Sequence, residues 1–243
     1  MATGSVLRRT KILCTLGPAS SSRKTVRAMV DAGMDAVRLN FSHGTQASHQ
    51  DLIRTVRKVA AARKKDIPII QDLQGPRFRV GDIENGSLVL KRGDRVMIGK
   101  ARASGKSKTP AGGGTGGMSI PIRPLYPAGA VQAGHRVVIG DLGIGLKVTS
   151  TSKGTMLCRV TRGGTVLPGK GVSFPDSKSG LPPLMAKDRR DLRFGISNGV
   201  TYVALSFVRN AGDVRALRRL IGSRDIGIVS KIETREALKD IDA

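Results

Sequence analysis

KILCTLGPASSSRKTVRAMVDAGMDAVRLNFSHGTQASHQDLIRTVRKVAAARKKDIPIIQDLQGP, residues 11–76, carries the pattern that decides the fold. KILCTLGP (11–18) is a near-continuous apolar run closed by Gly-Pro, as a strand covered on both faces requires. SSSRKTVRAMVDAG (20–33) then places Val26, Met29 and Val30 at helical spacing, with a serine at the N-cap and Gly33 at the stop. DAVRLNFSHG (35–44) reads as a second strand, QASHQDLIRTVRKVAAARKK (46–65) as a second helix and IPIIQDLQGP (67–76) as a third strand. Strand, helix, strand, helix, strand implies parallel pairing through right-handed crossovers.

The rhythm changes after Arg79. Residues 80–186 are rich in Gly, Val and Ser, and runs such as SLVLKRGDRVMIG (87–99), HRVVIGDLGIGLKVTS (135–150) and TMLCRVTRGG (155–164) alternate between turn residues. These predict an all-β insertion, with the low-complexity ARASGKSKTPAGGGTGG (101–117) as a mobile loop inside it. The α/β rhythm resumes at Lys187, with a helix over 187–199, a strand over 200–209, a helix over 211–223 and a strand over 225–233. Three segments follow: 7–79 and 187–243 as two parts of one α/β unit, and 80–186 as the inserted β domain.

Composition narrows the function. The chain has 243 residues, 42 Lys+Arg against 18 Asp+Glu and a net charge of +24. The excess is spread along the sequence rather than held in a tail, so it attracts anions generally: nucleic acid, phosphorylated metabolites or acidic partners. No apolar run approaches the roughly 18 residues of a membrane span. Met1 to Lys11 lacks a signal-peptide core, and Cys14 and Cys158 are too far apart for a CxxC site. A reducing, cytoplasmic setting with no membrane partner is the expectation.

Strand alternation picks out candidate residues. In VRLNFSH (37–43), Arg38, Asn40 and Ser42 share one face and Val37, Leu39 and Phe41 the other. A guanidinium, an amide and a hydroxyl on one side of a strand end can form an anion or cation pocket, or a polar end facing solvent. In VSKIE (229–233), Lys231 and Glu233 share a face, either as an ion pair or as an ammonium beside a metal-binding carboxylate. Asp72 closes the third strand, at the end where parallel α/β folds place their active sites.

KILCTLGP, VRLNFSHG, QDLQGPRFRVG (71–81), PGKGVSFP (168–175), LPPLMAKDRRDLRFG (181–195), VALSFVR (203–209) and VSKIE together resemble the pyruvate kinase family, in its order and at its spacing. The resemblance implies a partial TIM (β/α)8 barrel of about five strands with a small β-barrel domain inserted after the third. It also implies phosphoryl transfer from phosphoenolpyruvate to ADP, giving pyruvate and ATP, with Mg2+ and K+. Arg38 matches the phosphoryl contact and Lys231 the transition-state stabiliser. Glu233 matches the Mg2+ ligand. Asn40, Ser42, Asp72 and the carbonyl of Leu73 match the K+ ligands, a hard-oxygen set. Asn40, His43, Arg79 and Lys187 match nucleotide-contacting positions, where the arginine fork suits phosphate.

The family's Asp-Asp-Gly turn reads Gly140-Asp141-Leu142-Gly143 here, which bears on lid closure over the nucleotide. The resemblance further implies that a second Mg2+-binding aspartate, a substrate threonine and the region used for homo-oligomer assembly belong to sequence outside these residues. The expectation is an N-terminal portion, inactive alone; the alternatives are half of a split enzyme, or a non-catalytic remnant binding anions or RNA through its charge. Retention of Arg38, Asp72, Lys231 and Glu233 favours the enzyme, with nucleic acid not expected as a partner.

Overall fold

Apolar strands from residues 13–72 and 202–230 build what the computed structural model shows as a five-stranded, all-parallel sheet. The structure describes residues 9–100, 118–126, 130–140, 143–152, 154–178 and 180–243. Two compact units divide the chain: Met1–Pro76 with Pro182–Ala243, and Arg77–Leu181.

In chain order the elements are β1 (Leu13–Leu16), α1 (Arg23–Asp31), β2 (Ala36–Asn40), α2 (Gln46–Arg63) and β3 (Ile69–Asp72). The second unit holds β4 (Phe78–Val80), β5 (Leu88–Leu90), β6 (Arg95–Gly99), β7 (Ser119–Arg123), β8 (Arg136–Ile139), β9 (Ile144–Ser152), β10 (Thr155–Arg162), β11 (Gly164–Val166) and β12 (Gly171–Ser173). The first unit resumes with α3 (Ala186–Ser197), β13 (Tyr202–Leu205), α4 (Ala211–Ile221), β14 (Gly227–Ser230) and α5 (Arg235–Lys239).

The sheet order is β1-β2-β3-β13-β14, so every strand of the first unit pairs with its predecessor in that unit. Val37, Leu39, Ile69, Val203 and Leu205 from the strands pack with Val26 and Val30 of α1, Ile53 and Val56 of α2, Leu192 of α3 and Leu217 of α4. Each such side chain withdrawn from water contributes roughly 1.5–3 kcal/mol before entropy is counted. Helix starts follow local chemistry. Ser22 Oγ accepts from Thr25 N at 3.0 Å, Thr45 and Ser48 form a reciprocal box, and Asn210 Oδ1 accepts from Asp213 N at 3.1 Å.

The expectation of a first strand covered on both faces is not met. Along β1 only Leu16 is buried, and Leu13 is 50% exposed. β1 has one strand neighbour, β2, so its outer side lacks the cover that central strands receive.

Asp188, in the first turn of α3, is 1% exposed. Its Oδ1 accepts from Gly75 N at 3.0 Å and its Oδ2 from Met185 N at 2.9 Å. Burial pushes its carboxyl above the ordinary carboxylate range, against the opposing pull of those two N–H groups.

In the second unit, β10-β6-β7-β4-β12-β8-β9 close into a seven-stranded barrel, and β5 pairs with β11 beside it. Inward residues Val96, Ile98, Ile120, Ile122, Val137, Ile139, Leu146 and Cys158 are at most 1% exposed. Phe78, Tyr126 and Phe174 stack into a cluster with ring centroids 4.3–5.3 Å apart. Residues 101–117 and the Asp141–Leu142 step of the expected lid turn lie outside the described residues. No helix among the described residues is long and apolar enough to cross a membrane.

Candidate functional site

Parallel register lines up the C-terminal ends of four strands. Asn40 pairs with Asp72, Asp72 with Ala204, and Leu205 with Ser230. The residues just beyond continue the ladder: Phe41 N donates to Asp72 O, Leu73 N to Ala204 O and Lys231 N to Leu205 O. Arg38, Asp72, Ser206, Lys231 and Glu233 are thereby gathered at one end of the sheet.

Asp72, 2% exposed, is the hub. Arg38 reaches its Oδ2 with Nε at 2.8 Å and Nη2 at 2.5 Å, and holds Thr15 Oγ1 with Nη1 at 3.1 Å. Lys231 Nζ lies 3.3 and 3.4 Å from the two Asp72 oxygens, 2.9 Å from Ser206 Oγ and 3.3 Å from Glu233 Oε1. Ser206 Oγ in turn stands 2.6 Å from Leu73 O. Glu233 Oε2 accepts from Phe207 N at 3.0 Å. Two cations on one buried carboxylate satisfy the rule that buried charge must be paired.

Phe207 has φ +55, a left-handed conformation that costs an ordinary residue roughly 1–2 kcal/mol. The Glu233 carboxylate on its N–H offsets that cost. Gly75 makes the neighbouring turn possible: its φ is +72, and a Cβ there would come within 2.8 Å of Ser206 Cβ and 2.9 Å of Ser206 O. The turns after β3 and β13 therefore touch backbone to backbone.

The other expected residues fall in different places. β2 ends at Asn40, so the alternation that put Ser42 on the face of Arg38 stops two residues early. Ser42 sits in the following turn, its N–H donating to Asn40 Oδ1 at 3.0 Å. His43 contributes backbone, its N donating to Asn40 O and its carbonyl contacting His49 Nε2 at 2.9 Å. His49 stacks on Phe41 with centroids 4.0 Å apart, and burial pulls its imidazole below the ordinary range. Lys187 Nζ is engaged by Phe41 O at 2.6 Å and Asp191 Oδ2 at 2.5 Å, so α3 grips the turn after β2. Arg79 belongs to the second unit, where Nη1 donates to Gly169 O at 2.9 Å. Burial, then the nearby Arg77, lowers its guanidinium from the ordinary value.

Sequence reasoning missed Ser206, Phe207 and Asp191. Ser206 had no signal: it is a lone serine inside the strand expected over 200–209, within VALSFVR. Asp191 had one, its i,i+4 spacing from Lys187 on the expected helix, whereas Phe207 had none, because its partner Glu233 is distant in sequence.

The donors present suit the ions that the resemblance implies. The Asp72 carboxylate, the Leu73 carbonyl, the Asn40 amide and the Ser42 hydroxyl are hard oxygens suited to a monovalent cation. Glu233 is one accessible carboxylate, its side chain 35% exposed, which suits Mg2+ held by few protein ligands plus substrate oxygens. No cluster of three or more His, Cys, Asp or Glu side chains with metal-binding geometry occurs among the described residues.

The family model described as pyruvate kinase, barrel domain, matches residues 7–243. A pyruvate kinase of Agrobacterium vitis is 38% identical over 235 residues, covering 97% of this chain and 47% of the relative. Pyruvate kinase 2 of Synechocystis is 38% identical over 249 residues, covering 100% of this chain and 40% of the relative. A pyruvate kinase of Staphylococcus saprophyticus is 37% identical over 240 residues, covering 97% and 39%. The chain spans less than half the length of these relatives. Motif order, strand-end chemistry and a match running through both units agree: the chain belongs to the pyruvate kinase family.

Proposed function

We propose that this chain carries the phosphoenolpyruvate-handling part of a pyruvate kinase, the enzyme that transfers a phosphoryl group from phosphoenolpyruvate to ADP to give pyruvate and ATP. The observation that carries the reading is the strand-end cluster itself: the cations of Arg38 and Lys231 converge on the buried Asp72, with Glu233 3.3 Å from Lys231 Nζ. Phosphoryl transfer depends on fixed positive charge around the moving group, and this cluster supplies it from two cations, Arg38 on β2 and Lys231 just after β14.

Arg38 binds the phosphoryl group through its planar fork, and Lys231 offsets charge on the transferring group and the enolate oxygen. Glu233 holds Mg2+, which when bound supplies a Lewis acid at the phosphoryl oxygens. Asn40, Ser42, Asp72 and the Leu73 carbonyl hold K+. His43, Arg79 and Lys187, with Asn40, serve the nucleotide, and Lys187 must leave Asp191 to do so. The sequentially ordered parallel strands support part of a (β/α)8 barrel, with the seven-stranded barrel as the inserted lid domain. The setting is cytoplasmic, and homo-oligomer assembly draws on other parts of the family's length.

The chain on its own binds without turning over. Its edge strands β1 and β14 each have one neighbour, and Leu13 and Val229 on them are 50% and 39% exposed. Calorimetry with phosphoenolpyruvate and Mg2+ is expected to show binding that weakens at least about tenfold in Lys231→Met and in Arg38→Met, the loss of a charge-assisted hydrogen bond. A coupled pyruvate assay is expected to show no turnover. Equal binding by wild type and both variants would remove the functional reading, and turnover by the chain alone would remove the claim of inactivity.

A further inference from the structure

We propose that Ser206 is a positioning residue, the neutral leg of a tripod that aims the Lys231 ammonium; this rests on the functional reading above. Three acceptor groups surround Lys231 Nζ: Ser206 Oγ at 2.9 Å, Asp72 at 3.3 and 3.4 Å, and Glu233 Oε1 at 3.3 Å. An ammonium has three N–H donors and no acceptor; the serine contact lies within the usual N–H···O range, and the two carboxylates at 3.3–3.4 Å hold the ammonium as ion pairs. The serine leg is the shortest.

Proton inventory fixes the direction of each bond. Ser206 has one hydroxyl proton and three polar neighbours: Lys231 Nζ, Leu73 O at 2.6 Å and Asp72 Oδ1 at 3.3 Å. Lys231 only donates, so Ser206 accepts from it. The hydroxyl proton goes to the nearer acceptor, Leu73 O, because a 2.6 Å O···O contact is a full hydrogen bond and 3.3 Å lies beyond the usual range. Ser206 is 4% exposed, so water does not compete for these positions.

The neutrality of this leg gives it its role. Asp72 and Glu233, the two charged legs, are both committed to cations by the functional reading, and a carboxylate oxygen given to a metal ion attracts an ammonium less; the Leu73 carbonyl, also committed to K+, has a second lone pair for the Ser206 hydroxyl. Ser206 makes no such commitment. It is anchored to the β3 turn through Leu73 O and to β13 through its own backbone, with Gly75 packed on its Cβ. The hydroxyl therefore keeps Nζ on the strand-end axis when the charged legs are drawn elsewhere, a pre-organisation that a flexible four-carbon side chain cannot supply by itself.

The test uses the whole chain without turnover. The 1H–15N signal of the Lys231 ammonium, assigned by its loss in Lys231→Arg, is followed at fixed acidic pH. The Nζ proton exchange rate is expected to rise about tenfold in Ser206→Ala, as one charge-assisted hydrogen bond is removed. It is expected to return to within about twofold of wild type in Ser206→Thr, which restores the hydroxyl. Ser206→Cys, close in size with a weak acceptor, is expected to follow Ser206→Ala and carries the comparison should the alanine variant lower the urea midpoint. Wild-type exchange in both the alanine and cysteine variants overturns the positioning role. Phosphoenolpyruvate with Mg2+ is then added to wild type: a shift of the same signal supports the functional reading, and its absence overturns that reading alone, since the exchange comparison is made without ligand.

Discussion

Arg38 closes on Asp72 with two nitrogens directed at a single oxygen, Nε at 2.8 Å and Nη2 at 2.5 Å from Oδ2. The other oxygen, Oδ1, has Lys231 Nζ and Ser206 Oγ at 3.3 Å each, and Lys231 Nζ also stands 3.4 Å from Oδ2. One carboxylate thus serves two cations from strands that are not neighbours, β2 and the end of β14.

Removing that carboxylate takes away the ion-pair partner of Arg38 and leaves Lys231 with Glu233 alone. Asp72→Ala is expected to lower unfolding free energy by about 3 kcal/mol, the cost of breaking a buried ion pair from one side, reduced because Arg38 is 31% exposed. Urea denaturation checks this, and a loss under about 0.5 kcal/mol, the ordinary surface range, contradicts the hub.

Gly195 lies on the inner face of α3, where a Cβ would stand 2.0 Å from Gln71 Oε1. Gln71 is fully buried, its Nε2 donating to Asp191 O at 2.6 Å. Gly195→Ala is expected to destabilise by about 2 kcal/mol through overpacking. The double variant with Gln71→Ala is expected to lose less than the sum of the two single changes, a non-additivity that marks direct contact. Additive losses in urea would contradict the contact.

Burial pushes the Cys158 thiol up to about 12. The thiolate is the reactive form, so Cys158 is expected to resist alkylation at pH 8 until the second unit unfolds. Mass spectrometry across a urea series reads this as modification at Cys158 that coincides with unfolding. Early modification in native buffer contradicts the buried position.

The Arg136 guanidinium, gripping Asp176 at 2.6 and 2.9 Å, holds that carboxyl well below the ordinary carboxylate range. A depressed folded pKa means that the unfolded chain takes up its proton first. The stability from this pair is therefore fully present above about pH 4 and lost as pH falls through the lowered folded value. Carboxyl carbon NMR is expected to show Asp176 still ionised near pH 3, and Arg136→Gln to move its midpoint back toward the ordinary range.

Legibility in the sequence followed the range of the interaction. The parallel α/β rhythm, a serine N-cap and a glycine stop for α1 and the all-β insertion were readable because period and turn chemistry are local. That Arg38, Asp72, Lys231 and Glu233 share one end of the sheet was readable, Arg38 from strand alternation within β2 and the other three from their places at or just past a strand end. Ser42 was placed on the wrong side of a boundary, since alternation cannot show where a strand stops. Lys187 was legible as a cation but not as one held by Phe41 O and Asp191, and Ser206 was passed over because a lone serine carries no pattern.

Asp188 accepts one N–H from each side of the insertion, from Gly75 before it and from Met185 after it. The first unit thus fastens its own cut ends and needs no structural information from what is spliced between them. To the sheet, the intervening hundred or so residues are a loop whose closure entropy grows only by about 0.6 kcal/mol per doubling of length. The splice point is a socket: a domain of another fold, seated between Pro76 and Pro182, would leave the register of β3 and β13 untouched, so the insertion can change over evolution while the strand ends that gather Arg38, Asp72 and Lys231 stay as they are.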